Sequence, residues 1–185
     1  MADWDKKREV MHNYDRLATA YDRQYAEEQT AKIRAALQNV SLGKESLILD
    51  VGCGTGMLFT HTREFAGLLV GADFSFKLLR QAKKRAKQFL NGAIVRADAD
   101  HLPFCDQTFD VIFAVTLLQN MPNPLKTLHE MERVCKQLST LVVTGLQKEF
   151  SQEKFGSLLD EARLRILSIE TKDQLKDYVA ICRKA

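Results

Sequence analysis

Leu47-Ile48-Leu49-Asp50-Val51-Gly52-Cys53-Gly54-Thr55-Gly56 runs an apolar segment straight into a turn with glycine at every second position, and a carboxylate stands just before that turn. Leu47, Ile48, Leu49 and Val51 suit a strand buried on both faces, as strands inside a parallel sheet are. The glycines let the backbone turn tightly at positive φ and bring a ligand against bare main chain. A dinucleotide fingerprint spaces its glycines G-x-G-x-x-G, with an acid about 20 residues further on. This turn reads G-x-G-x-G instead, and Asp50, Asp73 and Asp98 surround the expected pocket. Three carboxylates suit a pyrophosphate poorly and a positively charged ligand well.

Strands and helices alternate downstream of the turn. The pattern predicts strands at Leu47–Val51, Leu68–Ala72, Ala93–Ala97, Val111–Val115 and Thr140–Thr144, with helices at Met57–Phe65, Phe76–Leu90 and Pro124–Cys135 between them. Such alternation means a parallel sheet with right-handed crossovers. A helix at Gln152–Arg163 then leads into a strand at Arg165–Glu170, and only seven residues precede the next strand, Tyr178–Cys182. A parallel return needs a dozen or more residues, so the final pair is expected to be an antiparallel hairpin. Ahead of the sheet, helical spacing dominates residues 5–38 in two arms, Lys6–Asp22 and Glu27–Asn39, which end at a Ser41-Leu42-Gly43 break.

S-adenosylmethionine is a ligand of the right charge, since its sulfonium and ammonium outweigh its one carboxylate. The chain resembles the class I S-adenosylmethionine-dependent methyltransferases, in the UbiE-like (methyltransferase type 11) group, along nearly its whole length. Tyr14-Asp15-Arg16-Leu17-Ala18-Thr19-Ala20-Tyr21-Asp22 reproduces that group's Tyr-Asp-x-x-Ala-x-x-Tyr-Asp segment. Asp98-Ala99-Asp100-His101-Leu102-Pro103-Phe104 matches its Asp-Ala-x-x-Leu-Pro-Phe, and Phe109-Asp110-Val111-Ile112 stands where the group has Phe-Asp-Val-Val. The resemblance implies a Rossmann-like α/β fold. Its seven-stranded, mostly parallel sheet has the order 3-2-1-4-5-7-6, the last strand antiparallel and helices on both faces. It also implies one methyltransferase domain over residues 1–185, in which 1–40 form an N-terminal helical arm or lid.

The site follows from strand ends. Asp73, 17 residues after Gly56, can accept from both ribose hydroxyls, and its other reading is a cap for the helix Phe76–Leu90, a place Ser75 fills as well. Phe74 offers an apolar face to adenine or to the core. In the group, the carboxylate at Asp98 takes the adenine amino group while the Ala99 N–H meets a ring nitrogen. Asp100 reads as solvated, and His101 as a surface or core residue with a lesser claim to touch substrate. Asp50 can hold the glycine loop through backbone N–H groups and attract the methionine ammonium, with Gly52, Cys53, Gly54 and Gly56 forming the loop and Cys53 its small filler. Val115 and Thr116 are expected to flank the cofactor. Gln119 and Asn120 either hydrogen-bond an acceptor or cap Pro124–Cys135. Methyl transfer is an in-line displacement on an already activated carbon, so it asks for positioning and water exclusion more than for a strong acid or base. Tyr21, with Tyr14 and His12 nearby, is the candidate for covering the site and orienting the acceptor, although an arm packed on the domain explains His12 better. Catalytic candidates are therefore Tyr21 and Asn120.

Composition narrows the rest. At 185 residues and 45% apolar the chain suits one domain with a sizeable core. There is no apolar segment behind the N-terminus and no run of about 18 apolar residues, so a cytoplasmic protein without a membrane span is expected. Cys53, Cys105, Cys135 and Cys182 are dispersed, which fits reduced thiols and gives no metal signature. The net charge of +3 indicates no polyanion. Lys77, Arg80, Lys83, Lys84, Arg85, Lys87 and Arg96 do form an acid-free stretch, which reads as the solvated face of an amphipathic helix burying Leu78, Leu79, Ala82, Ala86, Phe89 and Leu90, with a nucleic-acid patch as the alternative.

Lys136-Gln137-Leu138-Ser139 replaces the group's Lys-Pro-Gly-Gly turn, and the join from Thr144 to Gln152 is short where many small-molecule methylases insert a substrate-covering segment. The acceptor is then a small metabolite under the arm, or a group on protein or RNA, or a partner subunit or second copy closes the open side. A cofactor-binding but inert regulatory subunit is the rival reading, and a nucleotide-dependent oxidoreductase ranks lower.

Overall fold

The computed structural model describes residues 3–18, 20–62, 66–89, 91–171 and 175–184. Seven strands form one sheet: β1 (Ser46–Val51), β2 (Ala66–Asp73), β3 (Gly92–Arg96), β4 (Phe109–Ala114), β5 (Cys135–Leu146), β6 (Leu164–Glu170) and β7 (Asp177–Lys184), in the order β3-β2-β1-β4-β5-β7-β6. The first five pair in parallel, and β7 runs antiparallel to both β5 and β6. This is the expected order, and the terminal hairpin has the direction its short join requires. Residues 172–174 of that join lie outside the described residues.

Period-two alternation divides the central strands between two cores. On one face Leu49 and Val51, Ile112 and Ala114, and Leu141 and Val143 meet α5 (Pro124–Val134) and α6 (Gln152–Glu161) through Leu128, Met131, Phe155 and Leu159. On the other, Ile48, Val111, Phe113 and Val142 meet α2 (Tyr21–Gln38) through Ile33, Ala35 and Ala36, and α3 (Met57–His61) through Leu58 and Phe59. Each such Leu, Ile, Val or Phe contributes about 1.5–3 kcal/mol by leaving water. α4 (Phe76–Ala86) buries Leu78, Leu79, Ala82 and Ala86 and leaves Lys77, Arg80, Lys83 and Lys84 exposed, with Lys87 exposed just past its end.

Several boundaries differ from the sequence reading. The two N-terminal helices are α1 (Asp3–Leu17) and α2, so Tyr21 opens the second helix instead of closing the first. α2 is a core layer on the sheet, whereas α1 buries only Lys7. Residues 1–40 thus contain one outlying helix and one structural one. α3 ends at His61, where the Thr62 hydroxyl turns back to the Leu58 carbonyl, and α4 ends at Ala86; Phe65 and Leu90, the expected ends, lie outside the described residues. Lys136-Gln137-Leu138-Ser139 is not a turn ahead of a strand but part of β5, with Leu138 at φ +60° and a register shift opposite Phe109 and Val111. A bulge absorbs there what a glycine turn was expected to do.

Candidate active site

The carboxyl ends of β1 to β4 open into one cavity, covered by α1 and the start of α2. Gly52, Gly54 and Gly56 all have positive φ. The Gly52 and Cys53 N–H groups both donate to the Ala72 carbonyl, at 2.8 and 3.0 Å, which fastens the turn to β2. At Gly56, φ +78°, a Cβ would stand 3.0 Å from the Ala82 backbone, so the close approach of α4 requires glycine there. The loop is clamped from the side by Asp73, whose carboxylate accepts from the Gly54 N–H at 2.8 Å and the Ser75 N–H at 2.7 Å. Holding the loop, expected of Asp50, is therefore done by Asp73. Capping α4 is done by Ser75, which accepts from the Leu78 N–H.

Asp50 lines the cavity, 4% exposed, and among the described residues nothing donates to its carboxylate. Burial, with the nearby charge of Asp73, pushes its pKa up to about 8. Burial also raises Asp73, against the opposing pull of the Ser75, Gly54 and Phe74 N–H groups. Two desolvated carboxylates side by side are compensated best by a cation, so the donor set fits a ligand bearing an ammonium or sulfonium. Burial pushes the Cys53 thiol well above its ordinary value, so it stands as a neutral thiol on the cavity wall. Among the described residues no cluster of His, Cys, Asp or Glu is placed to hold a metal ion.

Asp98 and Ala99 line the cavity beyond β3, together with a residue the sequence did not signal. Lys7 of α1, 9% exposed, places its Nζ 2.7 and 2.8 Å from the two oxygens of Asp98 and 2.5 Å from Asp100. Burial pulls the Lys7 pKa down, but the bonds to Asp100 and Asp98 outweigh it and leave the ammonium raised. Asp100, expected in solvent, is 4% exposed and also receives the Thr127 hydroxyl. Phe74 sits on the cavity wall with Trp4 edge-on to its ring at 5.4 Å and the Arg96 guanidinium 5.8 Å over it.

Val115, Thr116, Leu117 and Asn120 complete the wall beyond β4. Thr116 has φ +61°, a left-handed conformation that costs a β-branched residue about 1–3 kcal/mol. Its N–H donates to the Thr144 hydroxyl and its carbonyl accepts from Asn120, so the strained geometry is held from both sides. Asn120 also donates to the Tyr14 hydroxyl at 3.1 Å, and Tyr14, Tyr21 and Tyr25 form a tilted series with centroids 5.9 and 5.0 Å apart. Burial first, then surrounding charge, raises the Tyr14 and Tyr21 phenols, so both present protonated hydroxyls. Asn120 thus faces the cavity rather than capping α5, a role taken by Asn123. Gln119 is off the wall. Of the expected cofactor residues all but Gly56, which shapes the turn from behind, line the cavity. His12 and His101 do not, and His101 lies 3.1 Å from Lys126. Lys7, Met11 and Gln29 line it unannounced.

This strand order, the reversed β7, and a glycine turn ringed by carboxylates define the Rossmann-like methyltransferase fold. Residues 49–143 match the family described as a methyltransferase domain, and the chain belongs to that family. It is 32% identical over 145 residues to the demethylmenaquinone methyltransferase of Staphylococcus saprophyticus, covering 74% of this chain and 62% of that one. It is 30% identical over 180 residues to the malonyl-[acyl-carrier protein] O-methyltransferase of a Marinomonas species, covering 94% and 62%. The chain thus spans less than two thirds of the length of either curated relative. A chain from the complex of the Haloferax volcanii Trm112 methyltransferase activator with a methyltransferase superposes with a TM-score of 0.81 at 15% identity, over 92% of this chain and 97% of that one. No helix among the described residues is long and apolar enough to cross a membrane.

Proposed function

We propose that this chain binds S-adenosylmethionine in the cavity and transfers its methyl group to a nucleophilic acceptor, releasing S-adenosylhomocysteine. The observation that carries the reading is the carboxylate set: Asp50 and Asp73, both desolvated and raised, stand on either side of the glycine turn, with Asp98 at the next strand end. Asp50 receives the methionine ammonium, Asp73 the ribose hydroxyls, and Asp98 with the Ala99 N–H the adenine edge. Asp98 keeps an acceptor position for that edge, because Lys7 and the Asp100 N–H leave part of its lone-pair capacity unused. Gly52 to Gly56, Phe74, Val115 and Thr116 shape the walls, and Tyr14, Tyr21 and Asn120 face the transferring end.

In this reading α1 is the lid. Lys7 on Asp98 and Asp100, Asp15 on Ser75, and Trp4 on Phe74 give it a contact to each ligand-facing loop on its side. Only five residues join β5 to α6, so no insertion covers the acceptor side. A second subunit completing that cover is supported by the likeness to a chain solved with an activator. Incubating the protein with methyl-labelled S-adenosylmethionine and fractionated cell extract tests the reading. Label is expected in one extract fraction and in proportion to enzyme. Tight cofactor binding with no acceptor in any fraction, alone or with co-purifying proteins, would favour an inert regulatory subunit.

A further inference from the structure

Behind Thr116 lies a buried ion cluster that the carboxylate set does not explain. Lys32 of α2 is 1% exposed, and its Nζ stands 2.6 Å from Asp177, 2.8 Å from Glu28 and 3.2 Å from the Thr116 hydroxyl. An ammonium has hydrogens to give and no acceptor, so toward Lys32 the Thr116 oxygen can only accept. The Thr116 proton is then free to be donated, either to the Gln29 carbonyl oxygen at 3.3 Å or into the cavity that Thr116 lines. Gln29, 8% exposed and on the same wall, reaches the Thr116 oxygen with its amide nitrogen at 3.2 Å and has a second N–H to offer. The strained φ of Thr116 holds its hydroxyl in this spot. The wall at the end of β4 thus presents two donors, one of them polarised by a buried cation.

We infer that Thr116 and Gln29 receive an acceptor oxygen that carries negative charge, a carboxylate or an ionised phenol or enol, with Lys32 as the positioning residue that polarises Thr116. The inference rests on the reading of the cavity as a methyl-transfer site and names the acceptor class for it. A neutral amine has one lone pair, which the transfer consumes, whereas an oxyanion has lone pairs to accept from both donors while another attacks the methyl carbon. The oxygen enters ionised, its proton already lost to solvent. Its lone pair forms the O–C bond to the methyl group while the C–S bond breaks and the bonding pair returns to sulfur, leaving a neutral thioether and a methyl ester or ether. The carboxylates on the same cavity are Asp50, which takes the ammonium of the methyl donor, Asp73, which takes its ribose hydroxyls, and Asp98, which Lys7 pairs, while the Glu28 and Asp177 carboxylates lie behind Lys32.

The test uses calorimetric titration of the full chain loaded with sinefungin, whose amine stands in for the sulfonium, at about pH 8, where carboxylic acids are fully ionised and nitrophenols largely so. Benzoate is compared with neutral benzamide, and 4-nitrophenolate with neutral 4-nitroaniline, so that the two arms distinguish a carboxylate from a phenolate site. At least one oxyanion is expected to bind roughly tenfold or more tighter than its neutral counterpart. Thr116→Val is expected to erase that preference and Thr116→Ser to keep it. Lys32→Met strands the fully buried Asp177 carboxylate and is at risk of not folding, so the Val and Ser pair decides. Equal or weaker binding of both oxyanions, no binding of either, or an unchanged preference in Thr116→Val overturns the inference. Failure of sinefungin and S-adenosylhomocysteine to bind the unmodified chain strikes instead at the proposed function.

Discussion

Replacing Asp50 by Asn should stabilise the empty protein while weakening its hold on the cofactor, two effects of opposite sign from one carboxyl. The unfolded group ionises near its ordinary 3.8 and the folded one near 8. Between those values the folded state carries one more proton than the unfolded state, so stability falls as pH rises across the window. About four units at 1.36 kcal/mol each give an upper figure of roughly 5–6 kcal/mol lost by pH 8. Relaxation and water entering the cavity reduce this to about 2–4 kcal/mol. Asn is neutral in both states and has no such slope, so Asp50→Asn should melt roughly 5–15 °C higher than the parent near pH 8 and almost level with it near pH 4. S-adenosylhomocysteine brings an ammonium that favours the ionised carboxylate, so its affinity for the parent should fall about tenfold per pH unit below 8. In Asp50→Asn that dependence should vanish and affinity at pH 8 should drop by roughly 1.5–3 kcal/mol. The assays are scanning calorimetry from pH 4 to about 9 and titration calorimetry over the same range. A variant less stable than the parent at pH 8, or parent affinity that ignores pH, would refute the account of Asp50 as an unpartnered, cation-seeking carboxyl.

Asp73→Ala should lower S-adenosylhomocysteine affinity by about 1.5–3 kcal/mol or more, because it removes the ribose acceptor and frees the Gly54 N–H from the loop clamp; unchanged affinity in a titration would remove the assignment. Lys7→Met strands Asp98 and Asp100 without their cation and should cost about 1–3 kcal/mol in urea unfolding, with no loss meaning that α1 is not latched there. Deleting residues 1–18 should leave the sheet and α2 folded by circular dichroism and reduce cofactor affinity modestly. It should abolish turnover on any acceptor found by label transfer, with Tyr21→Ala showing part of the same loss. Full activity in the truncated chain would show that something other than α1 covers the site.

The parts of this molecule legible in its sequence are those written in local signals. Gly52, Gly54 and Gly56 announce the turn, short apolar runs alternating with helical spacing announce the strands, and a seven-residue join announces the reversed β7. The carboxylates at strand ends follow from that topology, which is why Asp50, Asp73 and Asp98 were all placed on one cavity. The missed contacts depend on tertiary approach. Lys7 meets Asp98 across 91 residues and Gln29 meets Thr116 across 87, and nothing in a polar helix marks which lysine or glutamine turns inward. α2 read as an arm because its core face is built mostly of small residues, Ala35 and Ala36 with Ile33, in an otherwise charged helix. Lys136 to Ser139 read as a turn because they are the residues β5 bulges out between its pairings of Cys135 with Phe109 and Thr140 with Val111, and nothing local marks a bulge inside a continuing strand.

Titration of the purified chain with S-adenosylmethionine, S-adenosylhomocysteine and NAD in the same calorimeter decides which ligand the glycine turn and its carboxylates hold. Saturable one-site binding of the two adenosyl amino acids, with no heat from NAD, is the predicted result. Saturable binding of NAD, or none of either adenosyl compound, would contradict it.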